Sequence, residues 1–429
     1  MSGPLRDEAV GLLQTLIRLN TVNPPGNETI AAHVLRDYLA SQGVECELYA
    51  RSPERANLVA RIPGGEGPSL AFLSHTDTVI ADPVEWSRDP WSGDIVDDHV
   101  WGRGALDMKN QVAAIAVAFA SLAREGFRPA GDLVFIAAAD EEVGKSFGLE
   151  WLCQEHPEAV RVDYAINEGG GERVELGGSP YYLCASAEKM TAPFRLRVHG
   201  RSGHASMPGI ADNALVKAAP LVEALGAFRP EPEVGPEVEA FLATVLGEQL
   251  PPEQVLARLA EIDPLAVELI EPLLSLTLSP TIIAASERRN VIPATCDVTV
   301  DCRLLPGTTP EDVEPVIRRV LGEGDYDLEF LERWGGTRSS METPLWDAIE
   351  RWVGETEPGA KVAPMCCAGF TDSHWLRDAF GTIAYGFFPM RTMDPELAAR
   401  LIHSADERVH VDDLELGVEF LRELARSLG

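Results

Sequence analysis

Residues 134–144 read VFIAAADEEVG. An apolar run fit for a buried strand ends abruptly in three acids, Asp140, Glu141 and Glu142. Neighbouring side chains of a regular strand point to opposite faces. Glu141 and Glu142 therefore share one site only where the strand has ended and the backbone turns, and Gly144 supplies that break. Such an end is either a solvated terminus or a device for delivering carboxylates to a site. The rest of the chain decides between them.

Working outward, NLVARIP (57–63), SLAFLSHTDTV (69–79) and VDYAINEGGG (162–171) also read as strands. Helical periodicity covers 6–19, 29–42, 107–127 and a stretch near 146–155. Near-continuous apolar strands alternating with helices predict an α/β fold, a doubly wound mixed sheet covered on both faces. After residue 189 the texture changes. Residues 192–206 and 295–305 alternate apolar and polar, which suits a sheet with one wet face. Cys296 and Cys302 share the inner face of the second stretch. Between them lie a helix (211–228), a Pro/Glu-rich surface excursion (229–239) and broken helix (254–274). These features predict a smaller α+β domain, 189–306, inserted into a discontinuous larger domain of 1–188 and 307–429. Thr309 and Pro310 open a helix, as do Thr343 and Pro344. The last helix starts near Asp412, with Glu415 completing a capping box.

At 429 residues the chain is too long for one ordinary core. Its formal net charge of −32 repels phosphate backbones and anionic lipid, so neither nucleic acid nor membrane is an expected partner. No apolar run reaches the ~20 residues of a membrane span, and the N-terminus lacks a secretory pattern. The seven cysteines are scattered without a C-x-x-C pair. They read as buried reduced thiols, and the expected location is cytoplasmic.

Several predicted strands and loops of the larger domain end in metal-ligand side chains. His75 and Asp77 are two apart, so they share a face of an extended segment. This suits an imidazole whose second nitrogen is held by a carboxylate. Asp107 stands where GRGALDMK turns into the long helix. Glu141 and Glu142 follow, then Glu168, and near the C-terminus His403. In a doubly wound sheet the strand C-terminal ends line one crevice. Imidazoles and carboxylates converging there suit divalent zinc, cobalt or manganese.

SHTDTV, GRGALDMK, AADEEVG, NEGGG and HSADERV together resemble the five motifs of the di-zinc aminoacylase/carboxypeptidase family, from about residue 8 to 425. That family includes acetylornithine deacetylase, succinyl-diaminopimelate desuccinylase, aminoacylase and glutamate carboxypeptidase. The resemblance implies two divalent ions, zinc first, in the larger, catalytic domain. Asp107 bridges them, His75 and Glu168 complete one, and Glu142 and His403 the other. Asp77 orients His75, and Glu141 is the general acid/base acting on a water that bridges the ions. The same likeness implies a cis peptide at Asp107–Met108. It makes the inserted domain a lid and dimerisation domain, so a homodimer is expected. HGRSGHASMPGIADNA within it places His204 on the developing oxyanion, across a dimer interface. Asn290 and Arg303 match positions that hold a substrate carboxylate, a task an Arg fork suits. AGFTDSHWLR (368–377) resembles the substrate loop, with Gly369 allowing close backbone approach. His374 is expected at the surface. His33, His99, His156, His199 and His410 are expected to be structural. NPPGNE (23–28) occurs in many members and does not discriminate.

Two further features bear on the resemblance. Residues 229–280 are longer than in the compact deacetylases, as in carboxypeptidase- and aminoacylase-like members. Residue 168 is Glu and not Asp; within the family Glu goes with acylases and carboxypeptidases, and Asp with aminopeptidases. The expected activity is metal-dependent hydrolysis of the amide bond of an N-acyl amino acid or short peptide with a free carboxylate. The alternatives are a biosynthetic deacylase of acetylornithine or succinyl-diaminopimelate type, and a non-catalytic relative that binds peptide or metal.

Overall fold

The structure is a computed structural model that describes residues 3–144 and 146–428. The chain divides into two compact units. The first comprises residues 1–186, 339–365 and 371–429, and the second 187–338 and 366–370.

The first unit is built on a nine-stranded mixed sheet. Its middle is parallel: Leu133–Ala138, Leu70–His75, Tyr164–Asn167 and Ile383–Gly386 lie side by side in that order. Ala56–Ile62 and Cys46–Ala50 extend one side antiparallel. Leu133–Ala138 and Leu70–His75 are buried along their whole length. Helices cover both faces, as the unbroken apolar strands require. Pro4–Ile17, Thr29–Ser41, Lys109–Arg124, Pro344–Thr356 and Val411–Ser427 bury one face. Leu149–Glu155, Pro157–Val160 and Ser373–Phe380 bury the other. None of the described helices is long and apolar enough to cross a membrane.

The second unit is α+β. Thr295–Leu304 is central in a five-stranded antiparallel sheet with Met190–Thr191, Phe194–His199, Tyr326–Phe330 and Thr277–Ala284. Every second residue of that strand is buried, Cys296 and Cys302 among them. Ala214–Ala227 and Pro310–Leu321 cover the buried face.

Several expectations need correction. The helix Pro310–Leu321 and strand Tyr326–Phe330 belong to the second unit, so it ends near 338, not 306. The reason is packing: Val313, Ile317, Leu321 and Phe330 fill the core under the antiparallel sheet. The excursion at 229–239 already enters a helix, Pro236–Val245. The last helix starts at Val411, and its cap is the ring of His410, which accepts from Asp412 N. Cys184, Cys296, Cys302 and Cys366 are buried, but Cys46, Cys153 and Cys367 are only partly buried.

Candidate metal centre

The three adjacent parallel strands 133–138, 70–75 and 164–167 finish at the same edge. His75 is the last residue of its strand, Glu168 follows the end of another, and the three acids follow the third. The acids turn at Asp140, which takes a left-handed conformation with φ 67°. Asp tolerates that region better than most residues. The turn, closed by Gly144 N donating to Asp140 O at 2.8 Å, frees the next two glutamates from strand alternation. The break thus begins at Asp140, four residues before the expected Gly144.

These side chains converge. His75 Nε2 lies 3.1 Å from Asp107 Oδ1, 3.5 Å from Glu168 Oε1 and 3.9 Å from Glu141 Oε2. His403 Nε2 lies 2.9 Å from Asp107 Oδ2 and 3.2 Å from Glu142 Oε2. Asp107 therefore stands between the two imidazoles, one oxygen toward each, and the Asp107–Met108 peptide is cis. His75 Nδ1 faces the backbone carbonyl of Asp77 at 3.1 Å and its carboxylate at 3.5 Å. The Asp77 carboxylate also accepts the amide N–H groups of Glu141 and Glu142 at 3.2 and 3.1 Å. It holds the imidazole and the acid pair at once.

The electrostatics fit cations. Four carboxylates, Asp107, Glu141, Glu142 and Glu168, face only two imidazoles. Burial pushes Glu141 well above the ordinary carboxylate range, and the charges of Glu168, Asp372 and Glu142 add to this. Burial raises Glu168 too. The bonds to Asp107 and Glu142 raise His403 to about 10. Burial opposes a charge on His75, but Glu168 and Asp107 raise it well above the imidazole range. Glu142 Oε1 is buried without a hydrogen-bond partner among the described residues. Donor atoms of His75, Asp107 and Glu142, and of His75, Glu141 and Glu168, lie within 4.8 Å of one another. An excess of buried negative charge around an orphaned oxygen is what divalent ions would neutralise.

Sequence reasoning missed the clamp on Asp107. Glu407 is fully buried and accepts four donors: Arg103 Nη1 at 2.6 Å and the amides of Gly104, Leu106 and Asp107 at 3.1, 2.7 and 3.0 Å. Arg103 and Glu407 sit in the quoted motifs GRGALDMK and HSADERV, but nothing along the chain says that the motifs pack together. Asp372 was missed as well. It is 3% exposed, its Oδ2 has no hydrogen-bond partner among the described residues, and burial raises it well above the carboxylate range. His374, expected at the surface, is 1% exposed because the helix Ser373–Phe380 turns it inward against Trp375.

The other named residues lie in the second unit. His204 is exposed on a short ladder with Val291, and its Nδ1 accepts from Ser206 N. Asn290 is next to it, its carbonyl accepting from Ala205 N. Arg303 is anchored by Nε on Asp301 at 3.0 Å and by Nη1 on Thr191 at 2.7 Å. A Cβ added at Gly369 would meet nothing within 4 Å among the described residues, so none of them demands glycine there.

A mixed α/β sheet with imidazoles and carboxylates gathered at its strand ends defines a metal-dependent hydrolase. Comparison with known proteins agrees. Residues 71–427 match Peptidase family M20/M25/M40, and the chain belongs to that family. It is 26% identical to the N-fatty-acyl-amino acid synthase/hydrolase PM20D1 of Xenopus tropicalis, over 98% of this chain and 86% of that one. It is 27% identical to a succinyl-diaminopimelate desuccinylase of Cereibacter sphaeroides, over 95% of each. Among solved structures, the M20 family metallo-carboxypeptidase Sso-CP2 of Sulfolobus solfataricus superimposes with a TM-score of 0.76. It is 18% identical and covers 98% of this chain and 99% of that one.

Proposed function

We propose that the protein hydrolyses the amide bond of an N-acyl amino acid or short peptide that carries a free carboxylate. The observation that carries this reading is Glu141. It is partly buried beside the ligand set, 3.9 Å from His75, yet stands outside the two contacts that Asp107 makes to the imidazoles. In this reading two divalent ions would be held here, Asp107 serving both, His75 and Glu168 one, and Glu142 and His403 the other. Bound there, such ions supply Lewis acidity toward the scissile carbonyl and acidify water. Glu141 takes the proton of the attacking water and later delivers it to the leaving amine. Burial raises the Glu141 carboxyl, and neighbouring dications would draw its pKa back down, as a base requires. Asp77 orients His75. Asn290 and Arg303 receive the substrate carboxylate beside Gly369, and His204 stabilises the oxyanion.

A second reading, a succinyl-diaminopimelate desuccinylase, is favoured by the 27% identity to that enzyme. One panel separates the readings. Metal content is measured first. The protein is then tested against N-acyl amino acids of varied chain length, dipeptides, N-acetylornithine and N-succinyl-diaminopimelate. Turnover of N-acyl amino acids or peptides ahead of the two biosynthetic substrates supports the first reading. Preference for succinyl-diaminopimelate replaces it with the second. Two bound ions without any turnover make the chain a binding relative.

A further inference from the structure

The segment NPPGNE (23–28) has no part in the chemistry above, yet both its ends turn inward. Asn23 and Glu28 are buried. Asn23 Nδ2 donates to Asp77 Oδ2 and to Asp140 Oδ1, each at 2.9 Å. Asp140 Oδ1 also accepts from Arg55 Nη2 at 2.8 Å, and its Oδ2 accepts from Phe147 N at 3.1 Å. Arg55 grips Glu28 with Nε and Nη2 at 2.6 and 2.7 Å. Glu28 Oε1 receives the amide of Asp140 at 3.3 Å. A continuous buried chain thus runs Glu28–Arg55–Asp140–Asn23–Asp77. It ends on the carboxylate that holds His75 and the amides of Glu141 and Glu142.

The choice of groups is informative. One guanidinium serves two buried carboxylates, Glu28 and Asp140, and Asn23 ties Asp140 to a third, Asp77. A neutral amide NH2 offers two donors on one nitrogen, so Asn23 can join two carboxylates without adding charge. Every link grips a segment of the acid turn or the residue that orients it. Such buried networks are worth more whole than in parts, and a missing member leaves charge unpaired.

We propose that Asn23 and Arg55 are positioning residues for the reaction. Through Asp77 and Asp140 they hold the left-handed turn that aims Glu141 and Glu142, so that the base and its neighbouring ligand keep a fixed relative placement. This rests on the reading of Glu141 as the base and Glu142 as a ligand. Neither Asn23 nor Arg55 touches substrate in this scheme, so their loss appears in kcat and metal affinity and leaves KM alone.

The test uses Asn23→Ala and Arg55→Lys in the full chain, with amide hydrogen exchange in the metal-free protein as the first readout. The amides of Glu141 and Glu142 are expected to exchange at least about tenfold faster, while those of Leu133–Ala138 keep wild-type rates. Zinc affinity is expected to fall roughly 10–100-fold, the usual weight of groups that orient metal ligands. On an active substrate, kcat is expected to fall with KM within about twofold. Wild-type exchange at both glutamates together with wild-type zinc affinity overturns the proposal. So does uniformly faster exchange across the strand, which marks a role in stability alone. Should Asn23→Ala fail to fold, Asn23→Ser keeps a single donor and is expected to give intermediate exchange; wild-type values there overturn the proposal equally. If the wild type turns over no amide substrate, the functional reading fails, while exchange and zinc titration still decide the positioning role.

Discussion

At the scale of single residues, the centre is a contest between burial and charge. Glu141 has to be ionised to act, yet its surroundings favour the protonated acid. Glu141→Gln keeps the shape and removes the proton carrier. It is expected to retain both metals and lose roughly 10²–10⁴ in turnover, the usual weight of a general base. Elemental analysis beside steady-state kinetics checks this, and near-normal turnover removes Glu141 from the role. The imidazoles predict a second behaviour. Without metal, His403 holds its proton up to about pH 10, because Asp107 and Glu142 favour its charged form. A metal ion that binds its Nε2 has to displace that proton. Apparent affinity therefore rises with pH throughout the range below 10, by roughly tenfold per unit for each proton released. Calorimetry in buffers of different ionisation enthalpy counts the protons. Affinity independent of pH between 6 and 8 would contradict the assignment of His403.

At the scale of elements, the strands deliver ligands and the loops need to be held. Asp107 sits in a loop, where the backbone has no ladder to fix it. Glu407, about 300 residues away in sequence, supplies the missing acceptors for that loop. Burial pushes the Glu407 carboxyl up to about 6 even with Arg103 beside it, so it is ionised at neutral pH. Glu407→Gln has almost the same shape but turns one acceptor oxygen into a donor facing an N–H group or a guanidinium. That repulsion, with a buried donor left unsatisfied, is expected to cost about 1–3 kcal/mol of stability. The displaced loop is expected to weaken metal binding roughly 10–100-fold. Thermal unfolding with and without zinc reads both effects, and a variant matching wild type in both shows that the clamp does not position Asp107.

At the scale of the whole molecule, assembly turns on a sheet edge of the second unit. In the second unit, the edge strand Thr277–Ala284 exposes Ile282 and Ile283, at 61% and 53%. The helix Ala214–Ala227 packs beside that strand and exposes Leu215 and Val216. An unpaired edge flanked by apolar side chains suits pairing with a second copy across a two-fold axis. We propose a homodimer through this surface, with His204 acting on the partner chain's reaction. Ile283→Asp is expected to shift the chain to monomer in analytical ultracentrifugation. Complementation tests the exchange of histidines. His204→Ala and Glu141→Ala are each expected to be nearly inactive. Refolded together, they would form about half mixed dimers with one sound site each, returning roughly a quarter of wild-type activity. No recovery from two well-folded, metal-binding variants places His204 in its own chain's site or in none.

The sequence by itself determined what is local. The period-2 burial of Thr295–Leu304, the unbroken apolar strands, and the ligand-type residues after His75, Ala138 and Asn167 all follow from residue type and spacing. So do the caps at Thr309 and Thr343, because each needs only a few neighbouring residues. The tertiary structure alone decided what depends on pairing at a distance. It set the order 133–138, 70–75, 164–167, which brings three strand ends together. It assigned Pro310–Leu321 to the second unit, buried His374, closed Glu407 on the Asp107 loop, and ran Glu28–Arg55–Asp140–Asn23 up to Asp77. The reason is physical. Backbone periodicity is written in neighbouring residues, whereas a buried charge finds its partner only once packing has excluded water and left no other group within reach.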